Sequence, residues 1–125
     1  MLLDTNALSA LADGDAGLAA ALGDTARLAV PVIALGEYRF GIRASRRRKS
    51  YERWLDEHLS LFTVLEVDQA TTVHYAEVRA TLKARGRPIP ENDVWIAALA
   101  RQHDCPVVSR DRHFDAVPGL KLVSW

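Results

Sequence analysis

The chain contains one cysteine, Cys105, so no disulfide can form within it. A lone cysteine before Pro106, where a helix meets a strand, is expected to act as a small buried apolar side chain. Such sparing use fits a reducing, cytoplasmic compartment. No apolar run approaches the roughly 20 residues needed to cross a bilayer. The opening Met1-Leu2-Leu3-Asp4 reaches an acid at once and has no basic leader, so neither a membrane span nor a signal peptide is expected. An excess of charge is also missing: 16 Lys+Arg balance 16 Asp+Glu. Bulk charge therefore says nothing for nucleic acid, and only the placement of charges can. Internal repeats and low-complexity linkers are not visible either. What remains is 125 residues, 49% hydrophobic and 26% charged, the balance of one folded domain large enough to bury a core without covalent staples.

Short strand-like runs alternate with helical stretches. Leu2-Leu3 is a minimal first strand that runs into Asp4-Thr5-Asn6, a helix-start triplet. Helices are expected over Ala7–Ala12 and Ala16–Leu22, the second ended by Gly23. Arg27–Val30 reads as a strand, and Pro31 suits the first turn of the helix that carries Ile33, Glu37 and Phe40. Ser45 or Ser50 starts a helix bearing Trp54, Leu55, His58 and Leu59. Phe62–Val67 is a β-branched, apolar strand. Asp68 caps the next helix, on which Tyr75, Val78 and Leu82 share a face. Gly86 ends it, and Arg87-Pro88-Ile89-Pro90 is extended. Asn92-Asp93 opens a helix apolar nearly all round, from Val94 to Ala100, which must be buried. Pro106–Ser109 and Leu120–Val123 are the last strands. This alternation implies a three-layer α/β fold with a mostly parallel central sheet flanked by helices.

Open parallel sheets bind ligands beyond the carboxyl ends of their strands. Asp4 follows the first strand, and Asp111 lies just past a later one. Glu37 lies on the helix after the second strand, on a stripe with Ile33 and Phe40, where a carboxylate is costly unless compensated. Asp93 sits in the first turn of the buried helix, where the macrodipole favours an anion. Taken singly, Asp4, Asp93 or Asn92 could serve as a cap, Asp111 could form an Asx turn, and Glu37 could face solvent. Together, all four acids map to one end of one sheet. Clustered carboxylates repel unless a cation joins them, and oxygen ligands select a hard ion, Mg²⁺ or Mn²⁺. No cysteine–histidine spacing suggests zinc.

Four segments resemble the motifs of the PIN domain, and within it the VapC-type toxins of toxin–antitoxin pairs: Leu2-Leu3-Asp4-Thr5-Asn6-Ala7-Leu8-Ser9, Leu35-Gly36-Glu37, Pro90-Glu91-Asn92-Asp93-Val94-Trp95-Ile96-Ala97-Ala98 and Val108-Ser109-Arg110-Asp111-Arg112-His113-Phe114. They occur in order over essentially the whole chain. Ser109 stands where threonine is more usual, and the hydroxyl is kept. The resemblance implies a Mg²⁺- or Mn²⁺-dependent endoribonuclease that cleaves structured RNA such as tRNA or rRNA, a homodimer, and inhibition by a cognate antitoxin. It places Asp4, Glu37, Asp93 and Asp111 in the catalytic, metal-binding site, with Thr5, Asn6 and Ser109 as polar neighbours that orient it. The helices from Ile33 to Leu59 would offer the antitoxin an apolar groove.

Other readings compete. A haloacid-dehalogenase-like phosphatase also begins with a strand and an aspartate, but it needs a second acid where this chain has Asn6. A metal-free ribonuclease would pair two of His58, His74, His103 and His113 as acid and base; lone histidines on such helices are more usually surface or core residues. A PIN-like module that binds RNA or protein without cutting would not need the intact acid set. Arg43, Arg46, Arg47, Arg48, Lys49 and Arg53 form the densest basic stretch. They read either as a solvated helix face or as a lip that holds RNA phosphates near the acids. Lys83, Arg85 and Arg87 are a second such candidate. Tyr51 and Trp54 could stack on bases or pack in the core.

Overall fold

A computed structural model describes residues 1–24 and 27–125. Five short strands form one sheet: β1 (Leu2–Leu3), β2 (Ala29–Pro31), β3 (Thr63–Leu65), β4 (Val107–Val108) and β5 (Leu122–Val123). Their spatial order is β3-β2-β1-β4-β5, and every pairing among the described residues is parallel. The helices are α1 (Thr5–Ala12), α2 (Ala16–Leu22), α3 (Val32–Ile42), α4 (Arg48–His58), α5 (Gln69–Ala84) and α6 (Glu91–Gln102), with 3-10 turns at Leu59–Leu61 and Arg112–Ala116. Parallel neighbours need crossover connections, which are almost always right-handed. The path β1→β2→β3 steps toward one edge; β4 and β5 extend the other. Helices α1 to α4 therefore belong to one face, and α5 with α6 to the other. The observed packing agrees: α1 meets α2, α3 and α4, while α5 lies along α6.

Apolar residues account for both layers of the core. Leu2, Leu3, Val30, Val107 and Val108 fill the sheet, with Leu8, Leu18, Ala34 and Leu55 above it and Val78, Ile96, Leu99 and Phe114 below. Helix α6 is buried along Val94 and Ile96–Ala100, as its all-round apolar pattern requires. Asp68 caps α5 through a capping box with Thr71, whose hydroxyl also donates to Gln102 of α6 and ties the two helices together. Gly23 and Gly86 take positive φ (67° and 64°) just after α2 and α5, the conformation glycine reaches without penalty.

Several expectations need correction. Strand β2 spans Ala29–Pro31, so Pro31 closes the strand and caps α3 instead of entering its first turn. The stripe of Ile33, Glu37 and Phe40 is not the core face of α3. Ala34, Tyr38 and Ile42 are buried instead, and Phe40 is 80% exposed. Neither Ser45 nor Ser50 caps α4, which begins at Arg48. Ser45 instead accepts the Arg47 N–H in the preceding turn. Leu59 falls in a 3-10 turn. The last three strands are shorter than the apolar runs around them, because ladder pairing ends before the apolar residues do. Cys105 is only half-buried.

Candidate active site

The order β3-β2-β1-β4-β5 reverses direction between β1 and β4, and ligands settle outside the carboxyl ends of strands at such a switch point. Asp4 leaves β1 there, and Ser109 with Asp111 leaves β4. The cleft at this point has a volume of about 380 Å³, and its lining includes Asp4, Glu37, Asp93, Asp111 and His113. Thr5, Asn6 and the Pro90–Asn92 turn complete the wall. All four predicted acids are therefore brought together.

Asp4 is 4% exposed. Its Oδ1 accepts the Ala7 N–H at 2.8 Å and so caps α1, while its Oδ2 accepts the hydroxyl of buried Ser109. Ser109 Oγ in turn accepts the backbone N–H of Asp111 at 2.8 Å. One hydroxyl on the β4 exit thus joins the acids of two strands. The capping role and the cleft role of Asp4 are compatible, since each oxygen has two acceptor positions. Burial pushes the Asp4 carboxyl above its ordinary range. The bonds from Ser109 and Ala7 pull it back, and the charges of Asp93 and Asp111 push it further up.

Glu37 enters from α3, and its Oε1 accepts the Thr5 hydroxyl at 2.7 Å. Two of the three expected polar neighbours, Ser109 and Thr5, therefore each hold one acid; Asn6 lines the cleft. Asp93 lies in the first turn of α6 but does not cap it. The cap position is Pro90, which has no side-chain bond to give, so Asp93 keeps its carboxylate for the cleft. Burial, with 17% of the side chain exposed, raises the Asp93 pKa. A hydrogen bond to His113 opposes the rise, and the charges of Asp111 and Glu37 add to it. Asp111 caps the 3-10 turn Arg112–Ala116 by accepting the His113 N–H at 2.9 Å. The Asx-turn reading and the site reading of Asp111 thus hold together.

His113 joins these acids, although the sequence pattern did not place it with them. Its Nδ1 lies 3.0 Å from Asp93 Oδ2 and 3.0 Å from Asp111 Oδ1. A signal for it exists in the chain: an Asx turn after β4 folds residue i+2 back over the aspartate that caps it. The donor atoms of Asp93, Asp111 and His113 lie within 4.8 Å of one another, a spacing that can hold a metal ion.

The basic stretch stands elsewhere. Helix α3 runs away from the cleft, so Arg43 is about 9 Å further along its axis than Glu37, at 1.5 Å per residue. Tyr51, near the start of α4, donates its hydroxyl to Asp13 beyond the far end of α1. Arg47 lies over the Tyr51 ring, Arg48 pairs with Glu52, and none of Arg43, Arg46, Arg47, Arg48, Lys49 or Arg53 lines the cleft. Trp54 packs with Tyr38, His58 and Phe62, which favours core packing over base stacking. A hollow of about 690 Å³ near Trp54 and Phe62, close to the start of β2 and β3, is lined by no carboxylate among the described residues.

Residues 1–120 match the family profile described as PIN domain. Ribonuclease VapC5 of Mycobacterium tuberculosis (strain ATCC 25618 / H37Rv) is 32% identical over 99 residues, covering 78% of this chain and 73% of that protein. The tRNA(fMet)-specific endonuclease VapC of Salmonella typhimurium is 27% identical over 103 residues, covering 82% and 78%. The fold superposes on VapBC2 from Rickettsia felis, crystallised with a DNA fragment from its promoter, with a TM-score of 0.86 at 25% identity over 99% of this chain and 97% of that one. With its acids gathered at the same switch point that its strand order creates, the chain belongs to the PIN domain family, among the VapC ribonucleases.

Proposed function

We propose that this protein is the toxin of a toxin–antitoxin pair, a divalent-metal-dependent endoribonuclease acting on structured RNA, tRNA or rRNA, in the cytoplasm. The observation that carries this reading is the convergence of Asp4, Glu37, Asp93 and Asp111 in one cleft with two of the carboxyls pushed upward in pKa. Acids that resist ionisation when crowded are stabilised by a cation, so the residues fit a hard divalent ion. Asp4, Glu37, Asp93 and Asp111 would hold it, and Mg²⁺ or Mn²⁺ bound there would activate water and offset charge on a phosphoryl oxygen.

The protein's own groups do the rest. Asp4 is fixed by Ser109 and the Ala7 N–H, so it presents a rigid carboxylate without rearrangement. Thr5 holds one oxygen of Glu37 and leaves the other able to accept a hydrogen from an attacking water and aim it in line at phosphorus. The openness of the cleft mouth suits a polymer substrate, which must reach the acids without being engulfed. Lys83, Arg85 and Arg87, leading into Pro90 of the cleft wall, would hold phosphates beside the cleft, and Arg43, Arg46, Arg47, Arg48, Lys49 and Arg53 would hold phosphates further along the RNA.

The partners follow from the relatives. Exposed Val32 and Phe40 border an apolar groove that shares Thr5, Glu37 and Asn92 with the cleft. An antitoxin seated there would cover apolar surface and close the acids to RNA. The protein is expected to act as a homodimer. Among the described residues no helix is long and apolar enough to cross a membrane.

The test is cleavage of end-labelled tRNA and rRNA by the full chain with Mg²⁺ or Mn²⁺. Cutting should stop in excess EDTA and in Asp4→Asn and Asp93→Asn. Undiminished cutting in EDTA, or by both variants, would overturn the reading. RNA that is bound but never cut with Mn²⁺ present would make the protein a binding module.

A further inference from the structure

We propose that His113 is itself a metal ligand, so that this site takes one imidazole nitrogen along with carboxylate oxygens and prefers Mn²⁺ to Mg²⁺. The inference rests on the metal-dependent reading above and sharpens it.

Three observations support it. First, His113 Nδ1 faces two carboxylate oxygens at 3.0 Å each. A ring nitrogen carries at most one proton, so the two acids can share at most a single hydrogen from it. A cation among the three atoms accepts a lone pair from each. Second, the spacing suits such an ion: ligands about 2.1 Å from an octahedral centre sit about 3.0 Å from their neighbours. Third, the backbone that carries the ring is held in place. Asp111 Oδ1 accepts the backbone N–H of His113 at 2.9 Å, which fixes the histidine on the turn that also supplies an acid. The side chain is 48% exposed, so it needs no burial to reach the ion. Ligation through Nδ1 requires the proton to sit on Nε2, which the exposed side of the ring can offer to solvent.

The consequence is selectivity. Mg²⁺ favours oxygen donors and gives up its water reluctantly, whereas imidazole suits transition metals, and Mn²⁺ is the one of the two candidate ions that accepts it more readily. An all-oxygen site would separate the two ions less, so loss of the imidazole should narrow the gap between them.

The experiment uses the full chain, free of metal, titrated with Mn²⁺ and Mg²⁺ by calorimetry, together with pulsed EPR of the Mn²⁺-loaded protein. The wild type should show modulation from a coordinated imidazole ¹⁴N and bind Mn²⁺ more tightly than Mg²⁺. His113→Gln, with His113→Asn as a second substitution at the same exposed position, should lose the modulation. Each should also weaken Mn²⁺ on the order of tenfold, the scale seen when a metal site loses a supporting group, and narrow its lead over Mg²⁺. Mn²⁺ bound without ¹⁴N modulation, or an unchanged Mn²⁺-to-Mg²⁺ ratio in both variants, would overturn this proposal and leave the acidic site standing. Failure of the wild type to bind either ion, with Asp93→Asn behaving identically, would overturn the metal-dependent reading as well.

Discussion

Ser109→Ala tests the most connected hydroxyl in the site. It donates to Asp4 Oδ2 and accepts the Asp111 N–H, and both Ser109 and Asp4 are buried. Removing it leaves a buried carboxylate oxygen and a backbone N–H without their partner. A hydrogen bond to a charged group contributes about 1.5–3 kcal/mol, and a neutral one about 0.5–1.5 kcal/mol. The variant should therefore be destabilised by about 1.5–3 kcal/mol where Asp4 is ionised. The sign of the pH dependence follows from the proton. The Ser109 bond holds the Asp4 pKa down against burial, so its removal penalises the ionised form. The gap between wild type and variant should shrink as pH falls through the raised Asp4 pKa. Urea denaturation in EDTA at a series of pH values reads the gap directly. Affinity for the metal should drop about 10- to 100-fold, because a group that orients a ligand is gone, and Ser109→Thr should restore both properties. A variant as stable as wild type at neutral pH, with the same metal affinity, would refute the view that this hydroxyl organises the acids.

Two further outcomes follow from the same site and from the basic stretch. Burial raises the Asp93 carboxyl, so the folded protein holds that proton more tightly than the unfolded chain; stability from this group is present at low pH and lost as pH rises above the ordinary 3.8 through the raised value. Asp93→Asn should flatten that slope and be at least as stable as wild type near pH 7.5 without metal, measured by urea denaturation; a clear drop in stability there would count against burial as the cause. Replacing Arg46, Arg47 and Arg48 with glutamine should weaken RNA binding alike for all sequences. It should also reduce the slope of log affinity against log salt by about 1 for each phosphate no longer held, and an unchanged slope would assign these residues to a solvated face.

Much of the site was legible in the chain because strand ends and acids coincide. Asp4 follows an apolar run directly and Asp111 lies just past one, and a parallel sheet places such positions at one edge. Asp93 was legible for a different reason: it sits in the first turn of a helix apolar enough to be buried, where the macrodipole favours an anion. The ground on which Glu37 was found held only in part: Ile33 of its stripe packs against the core, but Phe40 proved exposed. Periodicity marks which residues share a face, but not which of two partly apolar faces meets the core. Ala34, Tyr38 and Ile42 win because α3 must pack closely on α1 and α4. His113 stayed hidden because its proximity to Asp93 is tertiary, 20 residues apart in sequence. Strand limits were overstated because hydrophobicity continues into the turns, whereas ladder bonds stop with the local twist.

The placement of β4 beside β1 has a consequence for how this protein comes into being on the ribosome. Strand β1 is central, yet one of its edges is satisfied only by β4, through bonds such as Leu2 N–H to Pro106 O at 2.8 Å and Asp4 N–H to Val108 O at 3.3 Å. At about 5–20 residues per second, roughly 5–20 s separates synthesis of the two strands. During that interval the β1-β2-β3 half can assemble, but Asp4 has neither Ser109 nor Asp111 beside it. A nascent or truncated chain therefore lacks part of the acid cluster that the proposed function requires. On the proposed function, cleavage would begin only after release of nearly the whole domain, when all four acids share one cleft.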